Sequence, residues 1–146
     1  MAFKDELVSM LNKALELEHQ AMIQYLAQAE LIGGLNAEPI IERLKEIADD
    51  ERKHAEMFRE LIGGYLGGEP SMGMAPTHPA KTVQEILETN LADEKEAVDT
   101  YSKILEKVRA NKDELKYEYF QIEHTLRHVI QDEQEHISEL KTLLDM

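Results

Sequence analysis

The sequence predicts an all-α protein that folds as a four-helix bundle with a long crossover between the second and third helices. Apolar residues recur every three or four positions over four long stretches, as they do on the buried face of a helix. One Gly- and Pro-rich segment divides these stretches into two pairs, which is the chain order of a bundle with a single crossover. The two pairs also carry the same polar residue types at matching positions within their apolar faces.

Composition places the chain among globular domains and excludes several functions. At 146 residues and 42% hydrophobic composition the chain can build one core, so residues 1–146 are treated as a single domain. No run of roughly 18 apolar residues is present to span a membrane. The formal net charge of −14 disfavours nucleic acid, and the absence of cysteine excludes disulfides and thiolate-bound metals. An acidic N-terminus without an apolar stretch leads us to expect a cytoplasmic protein.

The first helical pair is predicted over residues 4–32 and 37–62. Gly33 and Gly34 should end the first helix, and Asn36 should cap the second. Pro39 suits the first turn of that helix, where its missing N–H costs nothing, and Gly63-Gly64 should end it.

The second pair follows an irregular segment, residues 63–81, which contains five Gly and three Pro. We interpret this segment as a crossover along one bundle, because neither half is large enough to bury a core alone. Thr82 and Glu85 form a capping box that should start the third helix. A turn over residues 110–113, with Asn111 as the cap, should lead into a fourth helix that runs to the C-terminus.

Six polar residues within the apolar faces predict a metal site. Two Glu-x-x-His pairs occur, one in the second helix and one in the fourth, and each pair lies on one helix face. The first and third helices each add a lone Glu, and this is the ligand set of a two-metal centre in a bundle core. The predicted ligands are Glu18, Glu51, His54, Glu94, Glu133 and His136.

Register and charge support this prediction. In an antiparallel hairpin, Glu18 lies level with Glu51 and His54 only if the turn falls near residues 34–36, where Gly33-Gly34 already places it. Four carboxylates also balance two divalent ions, whereas without metal they would repel one another or take up protons. Oxygen and imidazole ligands suit iron or manganese, and we favour two iron ions.

Several other residues have less certain roles. Asp50 and Asp132 precede the paired motifs, where they would orient a ligand histidine or simply be solvated. Tyr25 and Tyr101 either bond a ligand or pack in the core, and core packing is favoured. For the pair His124 and His128, a position at the surface or in an interface is favoured over an accessory metal site. No role is predicted for His78. A further pair, Glu16-x-x-His19, is interpreted as a chance match because the second half does not repeat it.

The chain resembles the bacterioferritins of the ferritin-like superfamily. The resemblance rests on Leu-Asn-Lys-Ala-Leu-Glu-Leu-Glu at residues 11–18 with Gln24-Tyr25, and on Asp-Glu-Arg-Lys-His-Ala and Asp-Glu-Gln-Glu-His-Ile around the paired motifs. It covers nearly the whole chain. It implies that the six predicted ligands form a ferroxidase centre, which oxidises Fe(II) with O₂ or peroxide.

Three departures from the bacterioferritin pattern bear on this resemblance. Arg52 stands where bacterioferritins carry their haem-ligating Met, so we expect no haem. The sequence stops at Met146 without the short fifth helix that helps to close a 24-subunit cage, so we expect a homodimer or small homo-oligomer. The separation of Glu94 from Glu133 exceeds that of Glu18 from Glu51 by six residues.

Other functions remain open from the sequence. A rubrerythrin-like peroxidase would carry Glu-x-x-Glu in the third helix, where this chain has Ala97 after Glu94. Manganese catalase-like chemistry uses similar ligands. A non-catalytic metal-binding bundle is the alternative of a different class.

The fourth helix contains about four residues too many between the turn and Glu133, which is roughly 6 Å of helix. We expect the turn to extend as loop to about residue 116. A π-bulge between Tyr119 and Val129, or a staggered pair of helices, is the alternative.

Overall fold

Four long helices form the bundle in the computed structural model, which describes residues 2–145. The long helices are α1 (Phe3–Ala29), α2 (Ala37–Arg59), α3 (Val83–Ala110) and α5 (Tyr119–Leu144), and a short helix, α4 (Lys112–Leu115), precedes α5. The main packing partners are α1 with α2 and α3 with α5, while α1 also borders α3 and α2 borders α5. The described residues contain no strand, and the prediction of an all-α four-helix bundle with a long crossover is confirmed.

The turn between α1 and α2 differs in detail from the prediction. Helix α1 ends at Ala29 rather than at residue 32, although Ile32 is still buried. Asn36 occupies the N-cap position of α2 but its side chain makes no capping hydrogen bond, so its predicted capping role is wrong. It instead adopts a left-handed conformation with φ of 66°, which Asn tolerates better than most residues, after Gly34 at φ of 94°.

Helix α2 continues past the predicted stop at Gly63-Gly64. A π-helical segment, Glu60–Tyr65, extends it through both glycines. Leu61 and Ile62 in this segment are almost completely buried, so their packing against the core holds the chain helical where the local sequence favours an end. The irregular crossover therefore begins at residue 66, and we call residues 66–82 the strap.

The predicted start of α3 is confirmed, whereas the capping role of Asn111 is wrong. Thr82 accepts a hydrogen bond from the backbone N–H of Glu85, and the Glu85 side chain accepts one from the backbone N–H of Thr82. Asn111 does not cap the following helix. Its side-chain amide donates to the carbonyl of Lys107 at 2.8 Å, so it closes the end of α3 instead.

The surplus residues before Glu133 lie between α3 and α5. The short helix α4 and a 3₁₀ turn, Lys116–Glu118, take up the excess, and the long helix begins only at Tyr119. Lys116 breaks the helix with φ of 53°. The expected position of the break is therefore confirmed, but the segment is helical rather than loop, and Leu115 is fully buried within it. Helix α5 is a regular α-helix, so the alternative of a π-bulge between Tyr119 and Val129 is wrong.

Two apolar clusters lie toward opposite ends of the bundle. One contains Leu7, Leu11, Phe58 and Ile122, and the other contains Ile40, Leu44, Ile47, Leu87 and Leu140. The buried polar layer lies between them, shielded by both. Among residues 2–145, no helix is both long enough and apolar enough to cross a membrane.

Candidate metal centre

The structure brings all six predicted ligands together at the middle of the bundle. Each long helix supplies its share from the face that points inward, with one Glu each from α1 and α3 and one Glu-x-x-His pair each from α2 and α5. All six side chains are almost completely buried: Glu18, Glu51, His54, Glu94, Glu133 and His136. The helical spacing of three residues places Glu and His of each pair on one face, as the sequence requires.

These side chains form two overlapping groups of four. In the first group, ligand atoms of Glu18, Glu51, His54 and Glu133 lie within 4.8 Å of one another. The second group contains Glu51, Glu94, Glu133 and His136 within the same limit. Glu51 and Glu133 belong to both groups, so the arrangement offers two adjacent metal positions with two shared carboxylates.

The oxygens of Glu51 and Glu133 show that this layer fits metal ions. All four oxygens are buried and have no hydrogen-bond partner in the described part of the chain. Unpaired buried carboxylate oxygens are costly, and coordination to a cation is the usual compensation. Carboxylate oxygens and imidazole nitrogens are the donors that iron and manganese accept.

The two histidines are oriented by aspartates from the opposite helix. Nε2 of His54 on α2 lies 2.8 Å from Oδ2 of Asp132 on α5, and Nε2 of His136 on α5 lies 2.9 Å from Oδ2 of Asp50 on α2. The Nδ1 atom of each ring faces the carboxylates. Oε1 of Glu18 is the oxygen nearest to Nδ1 of His54, at 3.1 Å. The aspartates thus occupy the orienting positions that the sequence suggested, and each fixes the ring whose Nδ1 points into the centre.

Tyr25 and Tyr101 donate hydrogen bonds to the lone glutamates, each to the glutamate of the other half of the chain. The hydroxyl of Tyr25 donates to Oε1 of Glu94 at 3.1 Å, and the hydroxyl of Tyr101 donates to Oε2 of Glu18. Burial raises the pKa of both hydroxyls well above the usual value, so both remain donors at neutral pH. Core packing is the role that the sequence favours for these tyrosines, and the structure gives each of them both a buried ring and a hydrogen bond to the centre.

Burial and mutual repulsion keep protons on part of the carboxylate layer. Burial raises the pKa of Glu18 to about 7 and that of Glu94 to about 8, and the charge of Glu133 adds to both shifts. Burial also raises the pKa of Glu51, together with the charges of Glu133, Glu18 and Glu94. Glu18 and Glu94 therefore titrate near neutral pH in the metal-free protein, and Glu51 keeps its proton to higher pH than an ordinary carboxyl group does.

Glu133 behaves in the opposite way because both imidazoles face it. Burial opposes its ionisation, but the rings of His136 and His54, 3.2 and 3.3 Å away, lower its pKa to about 2. Burial likewise opposes protonation of the rings, yet the surrounding carboxylates raise the pKa of His136 to about 11 and raise that of His54 as well. Without metal, the centre thus holds protonated imidazoles where ions would otherwise supply positive charge.

A cavity of about 110 Å³ leads from the face between α1 and α3 toward the centre. Its inner wall includes the carboxylates of the layer and both tyrosines. Its outer wall includes Ala75, Pro76 and His78 of the strap, together with Asp93 of α3. The strap therefore lies over the approach to the centre.

The remaining sequence candidates lie outside the centre. Glu16 accepts a hydrogen bond from Ser71, and Nδ1 of His19 lies 2.7 Å from the carbonyl of Gly73, so this pair holds the strap. His124 and His128 stack on each other at the protein surface, with 6.4 Å between ring centroids. They join neither group of four ligands.

A buried amide network was missed by the sequence analysis. Gln24 donates to Asn90 at 3.0 Å and to Asp93 at 2.8 Å, and Asn90 donates to Gln28 at 2.8 Å. The one available signal was the spacing of Gln20, Gln24 and Gln28 along one face of α1. Polar residues at that spacing usually mark an exposed face, so the pattern alone did not indicate burial.

Comparison with known proteins gives consistent matches over nearly the whole chain. The family model described as Ferritin-like domain matches residues 8–146. A bacterioferritin from Desulfovibrio desulfuricans is 30% identical over 138 residues, which cover 92% of this chain and 72% of that protein.

Solved structures show the same fold. A ferritin-like, diiron-carboxylate protein from Bacillus anthracis superposes with a TM-score of 0.88 at 30% identity, covering 97% of this chain and 96% of that one. The bacterioferritin of Rhodobacter capsulatus, solved with a metal-free dinuclear site and haem iron, superposes with a TM-score of 0.83 at 23% identity, covering 97% and 84% of the respective chains.

Proposed function

The chain belongs to the ferritin-like domain family, as a bacterioferritin-like member, and on this basis we propose that it is an iron-binding ferroxidase. In this proposal Glu18, Glu51, His54, Glu94, Glu133 and His136 hold two Fe(II) ions, and O₂ or peroxide oxidises them. The observation that carries the proposal is the pair of overlapping four-ligand groups that share Glu51 and Glu133.

The chain's own residues have distinct tasks in this reaction. Glu51 and Glu133 would contribute to both metal positions, while Glu18 with His54 and Glu94 with His136 would each complete one position. Two Fe(II) ions supply one electron each, which with two protons suffices to reduce O₂ to hydrogen peroxide, or hydrogen peroxide to two waters. Asp50 and Asp132 keep the imidazoles aimed at the ions.

Protons move as the centre loads. Ligation requires the carboxylates and the Nδ1 atoms to be free of protons, so binding of Fe(II) would release the protons held on the carboxyl groups of raised pKa and on both imidazoles. Tyr25 and Tyr101 keep their hydroxyl hydrogens and continue to donate to the terminal carboxylates. The apolar clusters on both sides limit the access of water to the layer.

Metal analysis and rapid kinetics test this function. Protein purified from its native host is analysed for metal, and metal-free protein loaded anaerobically with Fe(II) is then mixed with O₂ or with peroxide. We expect iron, and oxidation of about two Fe(II) per chain in a fast phase that His136→Ala removes. The control His124→Ala alters an exposed histidine of the same helix and should retain the fast phase. Oxidation no faster than in protein-free buffer would contradict the proposal.

The same assay separates the alternatives. A rubrerythrin-like peroxidase would react much faster with peroxide than with O₂, and a manganese catalase-like enzyme would be purified with manganese and would release O₂ from peroxide. Stable binding of two Fe(II) with no fast oxidation would identify a non-catalytic metal-binding bundle. Retention of a ferric mineral after many turnovers would add iron storage to oxidation.

We also propose that the protein binds no haem. Arg52 pairs with Asp49 at 2.9 Å and with Glu56 at 3.3 Å along the outside of α2, and its charged guanidinium does not ligate iron. Protein expressed with haem available should show no Soret band. A band corresponding to one haem per two chains would contradict this.

A homodimer or small homo-oligomer is proposed for the assembly. Helix α1 exposes Ile23 and Leu26 at 42% each, and Leu31 beyond its end is 57% exposed. Such a surface suits isologous pairing of two copies across a twofold axis. Light scattering should give the mass of a small oligomer, and a mass near 24 chains would contradict the proposal.

A further inference from the structure

Hydrogen bonds join the strap to α1 between residues 69 and 78. Asn12 donates to the carbonyl of Glu69 at 3.0 Å and accepts from the backbone N–H of Ser71 at 2.8 Å. Farther along, Gln28 donates to the carbonyl of His78, and the backbone N–H of His78 donates to Gln24 at 2.7 Å. The backbone of the strap is therefore held in place over the cavity from the α1 side.

On the α3 side the strap is held much less. Apart from the Thr82 cap where the strap runs into α3, one polar contact joins the described strap to that helix. In this contact Nδ1 of His78 lies 2.9 Å from Oδ1 of Asp93 and 3.1 Å from Oδ2. His78 and Asp93 also line the cavity, so their contact closes its mouth.

Behind this contact the cavity runs to the carboxylates that the two groups of four share. Its lining includes Ala21 on α1 and Ala97 on α3, which occupy matching positions three residues after the lone glutamates. Their small side chains leave a gap between the two helices. Glu51 and Glu133, whose buried oxygens have no hydrogen-bond partner in the described chain, lie at the inner end of the same cavity.

Asp93 supplies a negative charge at this mouth with little to neutralise it. Its side chain is 17% exposed, and no Lys or Arg among residues 2–145 forms an ion pair with it. Its hydrogen-bond donors are the neutral amide of Gln24 and the ring of His78. A carboxylate in this setting, beside the charged wall of a narrow cleft, attracts cations and raises their local concentration.

The opposite face of the bundle is less suitable for entry. Between α2 and α5 the approach is occupied by the contacts of Asp132 with His54 and of Asp50 with His136, so the imidazole rings stand in the way. Arg43 also forms an ion pair with Glu139 that links these two helices at the surface.

We propose that Asp93 and His78 form a capture site for a divalent cation, from which the ion passes between Ala21 and Ala97 to Glu94. Asp93 supplies the charge and one oxygen ligand. His78 positions that carboxylate until the arriving ion replaces the hydrogen bond between the two residues. This inference rests on the proposed metal centre, and it assigns the route by which that centre is loaded.

Uptake of Co(II) tests this route without relying on oxidation. Metal-free protein is mixed with Co(II) in a stopped-flow instrument, and the visible absorption of bound Co(II) reports both the rate and the final occupancy. Asp93→Asn should slow uptake at limiting Co(II) by about tenfold, because one attracting charge is lost at the mouth. Ala97→Leu should slow it at least as much by filling the gap. Both variants should still reach about two Co(II) per chain.

The matched control is Asp99→Asn, which removes the same charge from an exposed position on the same helix, outside the cavity. Uptake by this control should stay within about twofold of the unaltered protein. Equal slowing by Asp93→Asn and Asp99→Asn, or slowing by Ala97→Leu alone, would overturn the capture site, as would wild-type rates in all three. Co(II) uptake that follows the expected order without any Fe(II) oxidation would instead refute the proposed ferroxidase function and leave the route intact.

Discussion

Replacement of Glu51 by Gln should make the metal-free protein more stable, not less. Glu51 is 1% exposed, and its oxygens have no hydrogen-bond partner in the described structure. Burial and the charges of Glu133, Glu18 and Glu94 raise its pKa well above the ordinary value of 4.5. The folded state therefore takes up a proton that the unfolded chain lacks at neutral pH. Gln is neutral and of similar shape, so it removes that requirement.

The size of the gain follows from proton linkage. A carboxyl group whose pKa is raised on folding costs stability relative to an ordinary glutamate in the unfolded chain, and each pKa unit of that increase corresponds to about 1.4 kcal/mol. Because the layer shares its charges, we expect about 1–3 kcal/mol for Glu51→Gln at pH 7. At about 2–4 °C per kcal/mol, thermal unfolding of the metal-free variant should shift upward by several degrees.

The sign of this effect depends on pH and on metal. A carboxyl group whose pKa is higher in the native state destabilises the protein as pH rises from the pKa of the unfolded state through the pKa of the native state. The stability advantage of Gln should therefore vanish near pH 4.5 and grow toward neutral pH. Divalent metal should reverse the order of stability. At a free concentration of 100 times Kd, each bound ion stabilises the unaltered protein by about 2.7 kcal/mol, whereas the variant lacks a carboxylate that both proposed metal positions share.

Thermal unfolding followed by circular dichroism, with and without Zn(II), measures both effects. The control is Glu42→Gln, an exposed position on the same helix, which should change stability by less than about 0.5 kcal/mol under both conditions. A metal-free Glu51→Gln protein that is less stable than the unaltered chain at pH 7 would refute the account of the carboxylate layer. So would equal stabilisation of both proteins by Zn(II).

Three further predictions concern protons, ligand orientation and the backbone. Zn(II) binding at pH 7 should release protons to an indicator dye, and the Zn(II) affinity should fall as pH falls from about 8 to about 6. The reason is that the pKa values of Glu18 and Glu94 are about 7 and 8. An affinity independent of pH, with no release of protons, would contradict this. Asp132→Ala should weaken Co(II) affinity about 10- to 100-fold in equilibrium titrations, because His54 loses its orienting partner. Lys116→Gly should raise the free energy of unfolding in urea by about 1 kcal/mol by relieving the positive φ of 53°.

Helical periodicity predicted the bundle because each long helix buries one face. The stripe that contains Leu44, Ile47 and Glu51 is buried in the structure at the predicted spacing. Helix ends were harder to predict, since they depend on contacts made by other parts of the chain. Gly63 and Gly64 favour an end, but the burial of their neighbours Leu61 and Ile62 keeps the segment helical.

The inner layer of the site could be derived from the sequence because its spacing is local. A Glu and a His three residues apart must share a helix face, and equal distances from a turn place two helices in register. Contacts between helices lack such a rule. Asp132 of α5 orients His54 of α2, and His78 of the strap contacts Asp93 of α3, 15 residues further along the chain. Both contacts depend on how the helices and the strap pack.

The same limit applies to the contacts of Glu16 and His19. Their Glu-x-x-His spacing matches the ligand pairs, yet the pair faces the strap rather than the core, so its oxygens and nitrogens are used in Ser71 and Gly73 contacts. The sequence excluded the pair as ligands through the missing repeat, but gave no indication of the segment it would anchor.

Anomalous scattering at the iron edge from crystals soaked anaerobically in Fe(II) tests the central claim most directly. The account predicts two iron peaks per chain on either side of the shared carboxylates of Glu51 and Glu133, one beside His54 and one beside His136. A single peak, or iron bound elsewhere with these carboxylates still unligated, would contradict a two-metal centre formed by the six residues.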